Sequence, residues 1–469
     1  MAVPLWSLPA ALGLEPPGSL VAFVGGGGKT SLLFALAAAL PGRVVITTTT
    51  RIFAAQIRLA PAVLHADDLT SLSSLLDAHG RVLVIGQLAG DKALGVDSDL
   101  PARLLARRDV DYVLVEADGS RMRPVKAPAD HEPVIPSGAT LVVPVAGLDA
   151  LERPLAEAAH RVEIVQQLLE AQRSQDAEEL EGLFPSLFVR RLGIGDGAYL
   201  TPPGLARLLT HPEGGLKGAP PGARVIPFLN KADDEARLGA ARAAARLMLR
   251  ESRVSRVVVG AARTAEPVRE VWRRVTAIVL AAGESRRMGR NKLLLPWGET
   301  TVLAQTLANV QDAGAHDLVV VTGHESDRIA PLAAPAGAPI IHNSDYAQGM
   351  LSSVQTAVRS LPAAVDAVLV VLGDQPMVAP AIIDRLLAAY AASTAGLVAP
   401  AYLGRRGNPV LIDRRHFTEL LALPPDDAPR ALLQRHPGDL LLMPVDDEAI
   451  LHDLDRPEDY ERWRPRNRA

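Results

Sequence analysis

The chain has no cysteine among its 469 residues, so disulfides, thiolate metal sites and cysteine nucleophiles are excluded together. The same absence fits a reducing compartment. There is no excess of basic residues either. Lys and Arg number 49 against 53 Asp and Glu, a formal net charge of −4, which excludes the bulk positive field of a nucleic-acid binder. No apolar run is long enough to span a bilayer, and Met1-Ala2-Val3-Pro4-Leu5-Trp6 lacks the basic segment that opens a signal peptide. A cytoplasmic location, with neither membrane nor nucleic acid as partner, is expected. What remains, 48% hydrophobic and 22% charged residues, is the composition of a globular protein. The length predicts two or three domains.

Two glycine loops carry the chemistry. In the stretch Ala277 to Lys292, an apolar run ends at Ala282-Gly283 and continues into Arg286, Arg287, Arg290 and Lys292. A strand that opens into a small-residue turn followed by cations suits a polyphosphate, because backbone N–H groups and positive side chains both meet its oxygens. Near the start, Gly25-Gly26-Gly27-Gly28-Lys29-Thr30 follows another apolar run and precedes an Ala/Leu helix pattern. Two nucleotide sites in two domains are therefore expected.

Short β-branched runs alternate with helical patterns in both halves, which predicts α/β domains built on mostly parallel sheets. In the first half the strands are expected at Ser19–Val24, Arg43–Ile46, Arg81–Ile85, Tyr112–Val115, Leu141–Val145, Val225–Leu229 and Val254–Val259, with a helix from Arg161 to Gln175. Polar residues Arg263 to Arg274 are expected to form the junction, giving domains at 1–272 and 273–469. In the second half the strands are expected at Val275–Leu280, Asp317–Thr322, Pro339–His342, Ala367–Leu372 and Gly396–Pro400.

The pattern Gly283-x-Ser285-x-Arg287-Met288-Gly289-x-x-Lys292 resembles the nucleotidyltransferases related to molybdenum cofactor cytidylyl- and guanylyltransferases, the MobA/MocA-like group. Further segments agree in order: Asn343 to Val354, Leu372-Gly373-Asp374-Gln375-Pro376, Arg406-Gly407-Asn408-Pro409-Val410, and Asp453 to Tyr460, with Arg456 where Thr is usual. The resemblance covers residues 275–463. It implies a Rossmann-like (GT-A-like) fold and transfer of CMP from CTP to the terminal phosphate of molybdopterin, with release of pyrophosphate. The acceptor is already an anion, so alignment and charge neutralisation suffice. In that reading Arg287, Lys292 and Asp374 are catalytic. Arg287 and Lys292 hold the β and γ phosphates, and Gly283 lets the backbone approach them. Leu280, Ala281 and Ala282 meet the base through backbone groups, and Asn343 belongs to the nucleotide site. Asp374, at a strand's C-terminal end, and Asp455, by family position, hold Mg²⁺, with Asp453 the rival of Asp455. The plainer reading of Asp374 is a helix N-cap. Arg286 and Arg290 read as solvated or paired charges, Ser352 and Ser353 as helix caps, and His324 as a loop residue. The Leu-Ala-Ala-Gly form resembles the cytidylyl branch, which favours CTP over GTP.

Gly28-Lys29-Thr30 has the ending of a Walker A loop, although Phe23 stands where that pattern wants its first glycine. The glycines form a nest of N–H groups, Lys29 reaches the β/γ phosphates, and Thr30 holds Mg²⁺ with Asp118 or Glu116 acting through water. Asn230-Lys231-Ala232-Asp233 has the Asn-Lys-x-Asp form that reads guanine in GTPases, so GTP or ATP is the nucleotide expected of this P-loop-like domain. Together with Thr47-Thr48-Thr49-Thr50-Arg51 and the stretch Glu116 to Pro133, these pieces resemble the YqeC-like family of selenium-dependent hydroxylase accessory proteins over residues 15–262. His131 and Glu132 read either as metal ligands or a catalytic pair, or as a polar surface loop.

The two resemblances imply one task, maturation of a molybdenum hydroxylase cofactor, with the hydroxylase apoprotein as a partner. Two other readings are a nucleotidyltransferase acting on a sugar or polyol phosphate, and an NTP-switched chaperone that inserts the finished cofactor.

Overall fold

The computed structural model describes residues 5–14, 17–89, 92–170, 199–315, 317–425 and 427–465. Two compact units divide the chain, Trp6–Trp272 and Arg273–Ala469. Among the described residues, no helix is long and apolar enough to cross a membrane.

In the first unit the sheet is built from β1 (Ser19–Gly25), β2 (Val44–Thr48), β3 (Val63–His65), β4 (Arg81–Ile85), β5 (Tyr112–Glu116), β6 (Leu141–Gly147), β7 (Phe228–Asn230), β8 (Val257–Gly260) and β9 (Val268–Trp272). Their spatial order is β9-β8-β7-β6-β1-β5-β2-β4-β3, with Arg224–Val225 paired beside β6. Every neighbouring pair is parallel except β8 and β9. Alternate residues of a strand face opposite sides. In β1, Val21 and Phe23 enter one core while Leu20, Ala22 and Val24 enter another, so both faces of the sheet are covered. That double burial explains the unbroken apolar runs. Helix α1 (Lys29–Ala39) starts directly after the glycine loop and buries Leu32, Leu33 and Leu36, each worth about 1.5–3 kcal/mol. Helix α2 (Glu235–Met248) is capped by Asp234, whose carboxylate accepts from Arg237 N–H at 2.9 Å.

Three local expectations change. Val225–Leu229 is interrupted at Ile226-Pro227, where proline supplies no N–H to the ladder, leaving Arg224–Val225 and Phe228–Asn230 as separate pieces. The expected junction Arg263–Arg274 contains a strand, β9, antiparallel to β8. Its Val268, Val271 and Trp272 are buried, and the charge that disguised it, Glu270, is buried too against Arg242 at 2.7 Å. The helix expected from Arg161 to Gln175 is present as Val162–Glu170, and the rest of that stretch lies outside the described residues.

The second unit has β10 (Val275–Ala281), β11 (Asp317–Thr322), β12 (Ile340–His342), β13 (Ala367–Leu372), β14 (Leu397–Tyr402), β15 (Val410–Asp413) and β16 (Leu440–Pro444). The order is β12-β11-β10-β13-β15-β14, ending in Arg405–Arg406, with β16 parallel beside β14. β10 lies between β11 and β13, parallel to both. Helices α3 (Val302–Asp312), α4 (Met350–Ser360) and α5 (Pro380–Ala392) cover the sheet. Ile278 of β10 packs in the same core as Leu351, Val354 and Ala357 of α4. The sheet ends that follow β10 and β13 therefore share one edge, where open α/β sheets place their ligands.

Candidate functional site

At the C-terminal end of β10 the chain turns through Ala282 and Gly283 into the basic segment. Ala281 and Ala282 are buried. The Leu280 carbonyl accepts from Gly373 N–H at 3.0 Å and that of Ala282 from His324 N–H at 3.2 Å, which fixes the turn against the neighbouring strand ends. Nothing lies within 4 Å of a Cβ placed on Gly283, so this stretch of backbone faces open space. Ser285 takes a positive φ of 53°, and its hydroxyl accepts from Lys292 N–H at 3.2 Å, curling the loop back on itself.

Lys292 is the centre of this site. Its ammonium is ion-paired with Asp374 and lies 2.8 Å from Asp455 Oδ1. Arg287 contacts the other oxygen of Asp455 at 2.6 Å. Asp374 follows β13 and is nearly buried, and the later segment is tied to it: Leu454 N–H donates to the Asp374 carbonyl at 3.3 Å, and Gln375 donates to the His452 carbonyl at 2.8 Å. Burial alone would lower the pKa of the Lys292 ammonium. The carboxylates of Asp374 and Asp455 outweigh that and hold it above its ordinary value. For Asp455 burial acts upward, while Lys292, Arg287 and Arg456 together pull its carboxyl below the usual range. Asp374, Asp453 and Asp455 each bring an oxygen within 4.8 Å of the others, a set of hard donors that fits a divalent cation. Asp374 caps no helix, since the cap of α5 is Ala379.

A cleft of about 340 Å³ opens here, lined by the loop from Gly283 to Arg287, by Lys292 and Asp455, and by Tyr346 and Ala347 from across the gap. Arg286 lines it but is paired with Glu284, whose carboxyl it pulls down. Asn343, expected on the nucleotide, does not line this cleft. It is buried, its amide donates to Ser352 and Ser353 at 2.9 Å each, and its oxygen accepts from Asp345 N–H at 3.0 Å. It holds the Tyr346 loop against the start of α4 instead. Tyr346 was not foreseen, because a lone tyrosine in a polar loop gives no pattern to read.

In the first unit, the loop after β1 is held by its surroundings. A Cβ on Gly27 would lie 2.0 Å from Gly147 N, so only glycine fits there, and φ is 70°. The expected nest is narrower than four glycines. Gly25 N–H donates to Asp118 Oδ2 at 2.9 Å, Gly26 N–H to the Val145 carbonyl at 2.8 Å, and Gly27 N–H to the Arg123 carbonyl at 3.0 Å. Gly28 and Lys29, at the N-terminus of α1, remain to face an anion. Lys29 is buried, donates to the Gly25 carbonyl at 2.6 Å and meets Asp118 Oδ1 at 3.0 Å.

The carboxylate beside Thr30 is Glu116, which accepts from its hydroxyl at 2.9 Å, and not Asp118. Asp118 is clamped instead between Lys29 and Lys126, the latter 3.1 Å away. Burial raises the pKa of Glu116, with Lys29 and Thr30 opposing. Asn230 donates to the Gly27 carbonyl at 2.8 Å and so braces the loop, while Lys231 reaches Asp149 at 2.8 Å. Asp233 sits apart from the loop's contacts, half-exposed and 3.3 Å from Arg237. His131 is exposed while Glu132 turns inward to Lys126 at 2.6 Å and Arg161 at 2.7 Å, so the two do not act as a pair. No pattern of neighbouring residues points to Arg161, which joins Glu132 from 29 positions along the chain.

Comparison with known proteins assigns both parts. Residues 277–440 match the MobA-like NTP transferase domain, and residues 21–163 match the YqeC protein family. The chain is 34% identical over 230 residues to the uncharacterized protein YqeC of Escherichia coli K12, covering 47% of this chain and 78% of that protein. It is 29% identical over 188 residues to the molybdenum cofactor cytidylyltransferase of the same organism, covering 40% and 93%. It is also 30% identical over 196 residues to the nicotine blue oxidoreductase of Paenarthrobacter nicotinovorans, covering 40% and 95%.

Proposed function

Because the chain belongs to the MobA-like NTP transferase family through its C-terminal part and to the YqeC family through its N-terminal part, and is thereby a nucleotidyltransferase joined to a YqeC domain, we propose that it transfers CMP from CTP to the terminal phosphate of molybdenum-loaded molybdopterin. The observation that carries this reading is the ion-paired set of Asp374, Lys292, Asp455 and Arg287 beyond β10, of which Lys292, Asp455 and Arg287 line the cleft and Asp374 meets it through Lys292.

Three carboxylates within ligand distance of one another fit Mg²⁺. Asp374 and Asp455 would hold it, and it supplies positive charge to the triphosphate. The acceptor phosphate attacks the α-phosphorus of CTP as the bond to the bridging oxygen of pyrophosphate breaks. Lys292 and Arg287 stand where the negative charge of the leaving group develops. Lys292 now neutralises the two aspartates; with nucleotide bound it turns to the phosphates. No side chain needs to remove a proton, since the attacking oxygen is already anionic. Ala282, where a second glycine marks the guanylyl branch, supports CTP over GTP.

For the YqeC part, the reading is an NTP-binding domain, with GTP or ATP at Gly28, Lys29 and Thr30 and with Glu116 beside the cation site. Its fusion to the transferase supports a shared task in preparing cofactor for a molybdenum hydroxylase.

The test is pyrophosphate release by the full chain with molybdenum-loaded molybdopterin, Mg²⁺ and either CTP or GTP, with Asp374→Ala as control. CTP-dependent release that the variant loses supports the assignment. Release with GTP alone overturns the base, and release with neither overturns the acceptor.

A further inference from the structure

We propose that the C-terminal unit carries a second metal site, for a Zn²⁺-class ion, built by His416, Glu419 and His436 on the connection between β15 and β16. One ligand-capable atom of each of these residues lies within 4.8 Å of the others. None of them lines the nucleotide cleft, and none belongs to the Asp374, Asp453 and Asp455 set.

The connection is anchored from below. Phe417, Leu420, Leu432 and Leu433 are buried in the same core as β10 and α4, which brings residue 416 and residue 436 together across twenty positions of sequence. The two imidazole rings lie 4.7 Å apart, centroid to centroid, tilted by 53°. His436 Nε2 is 2.6 Å from Glu419 Oε2, and His416, which is buried, places Nε2 2.7 Å from Asp439 Oδ2. A Cβ on Gly396 would come within 2.6 Å of His416 and 2.3 Å of Asp439, so glycine at that place leaves room for the cluster.

The charges around it are already matched. Arg435 approaches Glu419 at 3.5 Å but has its own partner, Asp427, at 2.9 Å. Arg415 is 3.7 Å from Asp439 and closer, 3.3 Å, to Asp413. The shortest contact of each carboxylate is nonetheless to an imidazole, 2.6 Å for Glu419 and 2.7 Å for Asp439. Asp439 is further oriented by Gly396 N–H, which its Oδ1 accepts at 2.8 Å. This is the arrangement of a metal-binding histidine with an outer carboxylate behind it. Two imidazoles are borderline donors and select Zn²⁺ over Mg²⁺, with one carboxylate as the third ligand of a site type that zinc accepts. Binding replaces the proton shared by His436 and Glu419, and the pair opens from 2.6 Å to about 3.3 Å, the ligand separation across a tetrahedral zinc. The ion ties the two ends of the connection, at His416 and His436, to each other.

The experiment titrates Zn²⁺ into chelator-stripped full-length protein, against a chromophoric competitor and in excess Mg²⁺ to occupy the aspartate cluster. One tight equivalent is expected in the unaltered protein and in Asp374→Ala. His436→Gln and Glu419→Gln should each weaken it by about 100-fold or more, and Asp439→Asn by about 10- to 100-fold. Circular dichroism shows whether each variant is folded, and Co²⁺ in place of Zn²⁺ should give tetrahedral visible bands lost in the same variants. No equivalent surviving Mg²⁺ in the unaltered protein overturns the site. So does undiminished binding in folded His436→Gln and Glu419→Gln.

Discussion

The ammonium of Lys292 lies 2.8 Å from Oδ1 of Asp455 and is also paired with Asp374, so one cation bridges both carboxylates proposed to hold Mg²⁺. In the proposed mechanism a lysine there serves two states: it neutralises the aspartates before nucleotide arrives and the phosphates afterwards. Lys292→Ala is expected to lower kcat by about 10²–10³, the loss that follows removal of one charge-stabilising donor. The half-saturating Mg²⁺ concentration should stay the same or fall, because a competing cation has gone. Pyrophosphate release across a Mg²⁺ titration reads both. A raised Mg²⁺ requirement would place Lys292 in the metal site's support rather than on the phosphates.

The three aspartates differ in their surroundings, and the difference ranks them. Asp374 is nearly buried at a strand end, and Asp455 is held low by Lys292 and Arg287, whereas Asp453 is exposed. Asp374→Asn and Asp455→Asn are each expected to raise the Mg²⁺ requirement by at least about tenfold. Asp453→Asn should change it by less than about threefold. The reverse ranking would exchange the roles of Asp453 and Asp455.

In the other unit, Asn230 Nδ2 donates to the Gly27 carbonyl at 2.8 Å, and its own oxygen accepts from Ala262 N–H at 2.9 Å. Asn230→Ala removes the brace and leaves a buried carbonyl and N–H without partners, at a cost of about 1–3 kcal/mol. Nucleotide binding to the YqeC part should weaken while CTP turnover by the transferase is retained. Gly27→Ala, which drives a Cβ to 2.0 Å from Gly147 N, should abolish that binding outright. Calorimetric titration with GTP and ATP distinguishes the two effects.

Local chemistry was legible in the sequence wherever residues that act together are close in the chain. The run from Leu280 to Lys292 and the loop from Gly25 to Thr30 both lie at strand ends, where apolar runs stop abruptly. Partners contributed from afar were not legible. Arg161 completes the Lys126 and Glu132 cluster from 29 residues beyond Glu132, and His416 meets Asp439 across 23. Asn343 shows a different difficulty. Its residue type suits a nucleotide as well as it suits a buried turn, and its bonds to Ser352 and Ser353, which hold the turn, could not be read from the residue type. β9 was hidden by Arg269 and Glu270, since a charged pair inside a strand reads as surface until Arg242 is found opposite.

The Glu132 cluster makes a prediction about acid stability. Burial alone would raise the pKa of this carboxyl, but hydrogen bonds from Arg161 and Lys126, and their charges, bring it from 4.5 to about 2. A carboxyl whose pKa falls on folding stabilises the folded state above its unfolded pKa. That contribution is lost as protons bind between pH 4.5 and about 2. The side chain is 15% exposed but lies near the surface, so solvent screens part of the effect, and its contribution is on the order of 2 kcal/mol. Glu132→Gln should therefore destabilise the YqeC part by roughly that amount near neutral pH, and the gap to the unaltered protein should shrink as the pH falls toward 3. Urea-induced opening of β1, followed by hydrogen exchange at a series of pH values, measures the gap. A gap independent of pH would mean that the variant acts through lost packing, with Glu132 carrying no more charge in the folded state than in the unfolded one.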